Sequence, residues 1–254
     1  FRDDIFISTN TWLDKFIPLY KQEIGLPFIC QLRIEMVNEW LIQRLITAGC
    51  VSISLGVETG NENLRREVLN RRMSNEQILE ACGILRRMGL PFCVNNMVGL
   101  PGETLESMYE TLSFTQKLKP SYSWFQIFQP YPRTRLAAYA YELGLFEGDY
   151  DTILQSCHEK TSLRFPKRQQ RLVNNAHKLF ALAVEWPWLT GLFKWLITLP
   201  ENMLYIGLFA TAQYYFTTRR LFPMLKMTHG DWVRGFWHTI IVTQPSLSRS
   251  APNV

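Results

Sequence analysis

Short apolar runs alternate with longer amphipathic segments from the first residues to Gly144. Asp3-Asp4-Ile5-Phe6 reads as the end of a strand. Thr9 or Asn10 caps a helix with Trp12, Phe16, Leu19 and Tyr20 at helical spacing, and Gly25 and Pro27 end it. Residues 28–33 (FICQLR) form a strand pattern. Asn38 then caps a helix with Leu41, Leu45 and Ala48 on one face, closed by Gly49. Residues 50–55 (CVSISL) read as a buried strand that the segment GVETGN breaks. A helix with Leu64, Val68 and Leu69 follows, and Ser74 with Gln77 forms a capping box for the next one. Residues 92–98 (FCVNNMV) form a strand, GLPG turns the chain, and Thr104 caps a helix over 105–118. Residues 121–128 (SYSWFQIF) are the last strand pattern, and a helix from about Arg135 closes at Gly144.

Strands joined by helices predict an α/β fold with a parallel sheet and right-handed crossovers. The apolar strands suit either a sheet covered by helices on both faces or the wall of a barrel. In both, ligands gather at the C-terminal strand ends. There the chain places Asp3 and Asp4, Gln31 and Arg33, Glu58 and Asn61, the stretch 95–103, and the stretch 126–133. The turn Gly99-Leu100-Pro101-Gly102 is the sharpest break. Gly and Pro cannot continue the strand, and backbone N–H groups at such a turn are expected either to stay open to a ligand or to belong to a plain βα turn that binds none.

From about Phe146 the pattern becomes helical and dense in aromatic residues. The chain therefore divides into 1–145, 146–242 and a Ser/Pro-rich tail, 243–254, read as disordered. The longest apolar run, 202–218, contains Gln213 and is shorter than the roughly 20 residues of a membrane span. A packed helical domain is the first reading. An interfacial bundle on a membrane or against an apolar substrate is the second.

Of the 254 residues, 47% are hydrophobic and 19% charged, enough for a sizeable core. The net charge of +5 is spread over short basic pairs, a solvated surface with no nucleic-acid groove expected. Five cysteines, none close to another in sequence, read as reduced buried thiols, and no metal site follows from local spacing. His158, His177, His229 and His238 show no convergent spacing and are assigned to surface or packing roles.

Four segments, RDDIF at 2–6, CQLR at 30–33, AGCVSISLGVETGNENLRREVLNRRMS at 48–74 and NNMVGLPGET at 95–104, are joined by a fifth, QPYPRTRL at 129–136. Together they resemble the radical S-adenosylmethionine (SAM) enzymes, specifically the cobalamin-binding branch. The resemblance covers 1–144. It implies a partial (β/α) barrel, N-terminally truncated here, followed by an α-helical C-terminal domain. It implies SAM, a 4Fe–4S cluster with ligands upstream of Phe1, and cobalamin on a further upstream domain. The implied reaction is reductive cleavage of SAM to a 5′-deoxyadenosyl radical, for methyl transfer or another modification of an unactivated carbon. The implied partners are a small-molecule or lipid-like substrate and an electron donor such as flavodoxin or ferredoxin. The implied setting is cytoplasmic, with peripheral membrane contact through the aromatic helices.

By motif match, Glu58 would reach the methionine amino group or the ribose, and Arg33 the carboxylate or ribose. Asn96, Val98, Gly99, Leu100 and Pro101 would line the cofactor, the last four against the adenine edge. Asp4, Gln126 and Arg133 would stand on the substrate side. Each has a plainer use: Glu58 caps the helix after Gly60, Arg33 pairs with Glu35 or Glu58, Asp3 and Asp4 are solvated, and Asn96 satisfies loop backbone. The sequence departs from the family in two places. It carries no CxxxCxxC, and Arg133 stands where the family usually has Gly, so Arg133 takes either ordinary backbone or a strained left-handed one. Two other functions compete with the enzyme reading: a non-catalytic binding module, and a different βα enzyme with Asp4 and Glu58 as acid and base.

Overall fold

Among the described residues, four strands, β1 (Phe28–Leu32), β2 (Cys50–Glu58), β3 (Phe92–Val98) and β4 (Tyr122–Ile127), pair in that order, every pair parallel. The sheet is open, since β1 and β4 are its two edges. This computed structural model describes residues 1, 3, 5–7, 9–154, 157–221, 228, 230, 231, 233–235 and 237. Parallel neighbours need long crossovers. Helices α1 (Asn10–Glu23), α2 (Glu39–Ala48), α3 (Glu62–Glu67), α4 (Asn75–Arg87), α5 (Leu105–Leu118) and α6 (Arg135–Glu142) precede, connect and follow the strands. Then come α7 (Lys167–Glu185), α8 (Thr190–Leu196) and α9 (Met203–Phe216), which runs into a π-helical turn, Thr217–Leu221.

The helix starts follow from short side-chain contacts. Thr9, Asn38, Asn61, Ser74 and Thr104 each accept from the backbone N–H three residues on, and Ser74/Gln77 and Thr104/Ser107 close reciprocal boxes. Gly49 ends α2 at φ 101°, a left-handed closure that suits glycine.

Burial alternates along the strands. Phe28, Cys30, Leu32, Ile53, Leu55, Val57, Phe92, Val94, Phe125 and Ile127 are buried, on the face covered by helices. Ile29, Gln31, Ser54, Gly56, Asn95, Trp124 and Gln126 are half-buried on the other face, which lines a cavity. The sheet is therefore covered by helices on one face and hollowed on the other, as in a barrel wall. One apolar cluster joins β1, β2 and β3 to α1, α2 and α4; a second joins β3 and β4 to α5, α7, α8 and α9.

Two local expectations change. No described residue of 1–7 is in a strand, although the Phe6 N–H donates to the Gln31 carbonyl (3.3 Å) at the edge of β1. β2 does not break at Gly56 but runs on to Glu58, because pairing with Asn95 and Asn96 of β3 holds it across an irregular register at Val57. The tail 243–254 lies outside the described residues.

The exit of β2 packs tightly. A Cβ on Gly60 would lie 2.7 Å from Phe114 Cβ and 2.8 Å from the Glu110 carbonyl oxygen. The Gly60 N–H donates to Thr111 Oγ1 (3.0 Å), so bare backbone rests on α5. Beside it lies the fully buried Arg65. Its Nε and Nη2 donate to the Thr59 carbonyl (3.1 and 2.7 Å), Nη1 to the Met73 carbonyl (2.8 Å), and Nη2 to Asn75 Oδ1 (2.6 Å).

Candidate functional site

A cavity of about 1360 Å³ opens on the hollow face of the sheet. Gln31 of β1, Ser52 and Ser54 of β2, Asn95 of β3 and Gln126 of β4 form its floor. Asn95 donates to Ser54 Oγ (2.8 Å), so the two polar side chains brace each other across the strands.

The charged residues come from the β1–β2 side: Arg33, Glu35, Glu58, Arg71 and Arg72. Glu58 is the last residue of β2, at φ 69°. That left-handed backbone is strained for a residue with a side chain, and here it folds the carboxylate back over the strand. A Cβ on Gly56 would sit 2.6 Å from Glu58 Oε1 and 3.1 Å from Arg71 Nη1, so Gly56 is the cradle that lets this pair form. Arg71 Nη2 lies 3.0 Å from Glu58 Oε1. Burial raises the Glu58 pKa above the usual carboxylate range, and the Arg71 guanidinium pulls it back. Glu58 does not cap α3; Asn61 does. Arg33 pairs with Glu35 (3.2 Å), both exposed at the rim.

Among the described residues, the opposite wall carries no charge of this kind. Trp124 and Gln126 of β4 face Gln213 of α9, and Thr217 and Leu221 of the π-helical turn complete it with His158. The Ile127 N–H donates to the Cys157 carbonyl (2.9 Å), which holds the His158 segment against β4. The His158 and His177 rings lie 5.3 Å apart, with Phe209 against both. His177 Nδ1 donates to the Phe125 carbonyl. Burial lowers the His158 pKa to about 4 and holds His177 well below the ordinary histidine range, so both are neutral near pH 7.

The structure thus brings Arg33, Glu58 and Gln126 to one cavity and leaves other expected residues away from it. Asn96, Val98, Gly99, Leu100 and Pro101 are buried and line no part of it. Asn96 turns to the helix side and donates to Thr115 Oγ1 (3.2 Å). The turn N–H groups are taken: those of Gly99 and Leu100 donate to Glu103 Oε2 (2.6 and 3.2 Å). A carboxyl group four residues on fills the nest that a ligand would use. Gly99, at φ 75°, lies under α7, where a Cβ would meet Val173 Cγ1 at 2.7 Å. Arg133 is exposed outside the cavity and takes the strained option, φ 62°. Asp4 lies outside the described residues, as do His229 and His238.

Sequence reasoning missed Arg71, the Glu103 plug and the His158–His177 pair. Arg71 sits in the same quoted motif as Glu58, a signal that went unused. Gln213 was visible as the polar interruption of an apolar run. The two histidines meet only through tertiary packing and left no spacing signal.

Four cysteines are buried and Cys157 is half-buried; all are free, and Cys30 Sγ lies 3.9 Å from Cys50 Sγ. Among the described residues, no three His, Cys, Asp or Glu side chains are grouped to hold a metal ion. The thiolates of an iron–sulfur cluster are therefore not found among them. No helix among them is long and apolar enough to cross a membrane.

Residues 14–115 match the family model described as the Radical SAM superfamily. Over this stretch the chain is similar to the Radical SAM superfamily. That superfamily implies SAM and a 4Fe–4S cluster. An uncharacterized methyltransferase of Pyrococcus horikoshii is 26% identical over 141 residues, 55% of this chain and 30% of that protein. The anaerobic magnesium-protoporphyrin IX monomethyl ester cyclase of Rubrivivax gelatinosus is 26% identical over 116 residues, 45% of this chain and 21% of the cyclase. The chain thus spans less than a third of these relatives. Coproporphyrinogen III oxidase from Escherichia coli, described as a Radical SAM enzyme, superposes with a TM-score of 0.50 at 19% identity, covering 72% of this chain and 37% of the oxidase. That likeness concerns the fold: an open parallel sheet followed by helices.

Proposed function

We propose that this chain forms the SAM- and substrate-binding part of a radical SAM enzyme, cobalamin-dependent, that transfers a methyl group to an unactivated carbon or carries out another radical modification there. The observation that carries the reading is the Glu58–Arg71 pair over Gly56, at the charged end of a cavity on the hollow face of the sheet. A half-buried carboxylate beside a guanidinium complements the ammonium and carboxylate of an amino-acid group. Glu58 would accept from the methionyl ammonium, and Arg71 and Arg33 would face its carboxylate. The fit is to SAM; the cluster's thiolates are placed, in this reading, outside the 254 residues. SAM and the cluster supply the radical chemistry. The chain's own residues bind, orient and exclude water from it.

Methyl transfer is favoured by the methyltransferase name of the Pyrococcus relative, and cobalamin by the motifs' likeness to the cobalamin-binding branch. In this reading residues 1–145 supply the SAM side and 146–242 a helical domain over the substrate side. Electron supply by a flavodoxin or ferredoxin belongs to it. So does peripheral membrane contact through Trp188, Trp195 and Leu204, which are exposed around α8 and α9.

The test uses S-adenosylhomocysteine, which keeps the amino-acid group and cannot react. Calorimetry should show binding to the parent chain and a loss of about tenfold or more in Glu58→Ala, the equivalent of one charge-assisted contact. An unchanged Kd would return Glu58 to a structural role and remove the reading's main support.

A further inference from the structure

The cavity is about 1360 Å³, larger than the roughly 300–1,000 Å³ of a single-ligand pocket. It has room for two ligands, and its two sides differ in chemistry. Resting on the reading above, which assigns the charged side to SAM, we propose that the α9 side is a subsite for an uncharged, largely apolar substrate that donates hydrogen bonds to Gln213 and Thr217, its body against Trp124, His158 and Leu221.

Three observations carry this. First, α9 is apolar on all sides, MLYIGLFATAQYYF, and Gln213 is its only amide. A helix of that kind is held by apolar packing and has no structural need for a buried amide. Second, Gln213 Oε1 and Thr217 Oγ1 are both buried without a hydrogen-bond partner among the described residues, and both residues line the cavity. Four residues apart, they share one face where the helix loosens into its π turn, a distortion common at functional positions. A buried polar atom left unpaired costs on the order of 1–3 kcal/mol, which a ligand donor recovers. Third, among the described residues this wall offers no counter-charge. Its lining is Trp124, Gln126, Gln213, Thr217, Leu221 and the neutral imidazole of His158. Of the basic residues near it in sequence, Arg220 pairs with Glu185 (2.6 Å), Lys178 donates to the Asn174 carbonyl (3.1 Å), and Arg219 and Lys160 are exposed outside the cavity. A carboxylate or ammonium here would lose its hydration without compensation.

The test uses 4-ethylphenol as an uncharged hydrogen-bond donor and 4-ethylbenzoate as its charged counterpart. Saturation-transfer NMR on the full chain, with the charged side filled by saturating S-adenosylhomocysteine, should show 4-ethylphenol bound and 4-ethylbenzoate neither bound nor competing. In the double variant Gln213→Leu/Thr217→Val, 4-ethylphenol affinity should fall at least about fivefold, one lost hydrogen bond or more. S-adenosylhomocysteine affinity should stay as in the parent. Glu58→Ala should show the opposite split. The ligand-free double variant should also melt at or above the parent temperature, because two orphaned polar atoms are gone. Benzoate binding as tightly as phenol, unchanged phenol affinity in the double variant, or a lower melting temperature would each overturn the subsite. Loss of S-adenosylhomocysteine binding in the parent would instead overturn the assignment of the charged side, leaving the phenol result to stand alone.

Discussion

Arg65 offers the most demanding test of how the motif at 48–74 holds itself together. Its guanidinium is fully buried and meets three acceptors, the carbonyls of Thr59 and Met73 and Asn75 Oδ1, at 2.6–3.1 Å. It therefore ties the exit of β2 to the start of α4. The Phe114 ring lies 5.9 Å from the guanidinium carbon and adds a weak cation–π contact. Each hydrogen bond to a charged group is worth about 1.5–3 kcal/mol, and each abandoned acceptor costs about 1–3 kcal/mol unless water reaches it. Allowing for relaxation, Arg65→Ala should lose about 3–5 kcal/mol, the range for removing one member of a buried charged network. Arg65→Lys keeps the charge but not the fork, cannot span all three acceptors, and should lose about 2 kcal/mol. Urea unfolding at pH 7, followed by far-UV circular dichroism, gives both numbers. S-adenosylhomocysteine affinity should fall with them, since the segment that Arg65 closes carries Arg71. A loss under about 1 kcal/mol in Arg65→Ala, or equal losses in the two variants, would refute the reasoning.

Two further outcomes follow from single residues. Burial raises the Glu103 carboxyl from about 4.5 to about 8, so the folded chain holds a proton that the unfolded chain releases. The resulting stability is complete below the unfolded value and is lost as pH rises through the folded one. Glu103→Gln should therefore match the parent near pH 4 and exceed it by about 5 kcal/mol at pH 9, read from urea midpoints; parallel curves would refute the buried proton. Arg133, exposed at φ 62°, should be replaced by Gly with a gain of about 0.5–1 kcal/mol, left-handed strain exceeding glycine's extra chain entropy. A loss in thermal melting would show that Arg133 makes a contact worth the strain.

Most of the element order was legible because its causes are local. Asn38, Ser74 and Thr104 reach N–H groups three residues away, and such contacts form or fail within one turn. Alternation of strands and helices led to a parallel sheet on the same footing. The end of β2 was misjudged because Gly56 weakens a strand in isolation, whereas pairing with β3 supplies the ladder regardless. The candidate site was legible only in part, and unevenly. Glu58, Arg33 and Gln126 reach the cavity because they lie at or near strand ends, where the topology directs them. Gly99, Leu100 and Pro101 carry the most conspicuous sequence signal, yet their turn is closed by Glu103 and roofed by α7.

The order of residues thus determined caps, periods and strand direction, all set by interactions between near neighbours. Which side chains meet was decided by packing over long separations: Glu58 with Arg71 above a bare Gly56, His158 with His177, Gln213 of α9 opposite β4. A partner choice of that kind depends on where two distant backbones stop, and no local pattern records it.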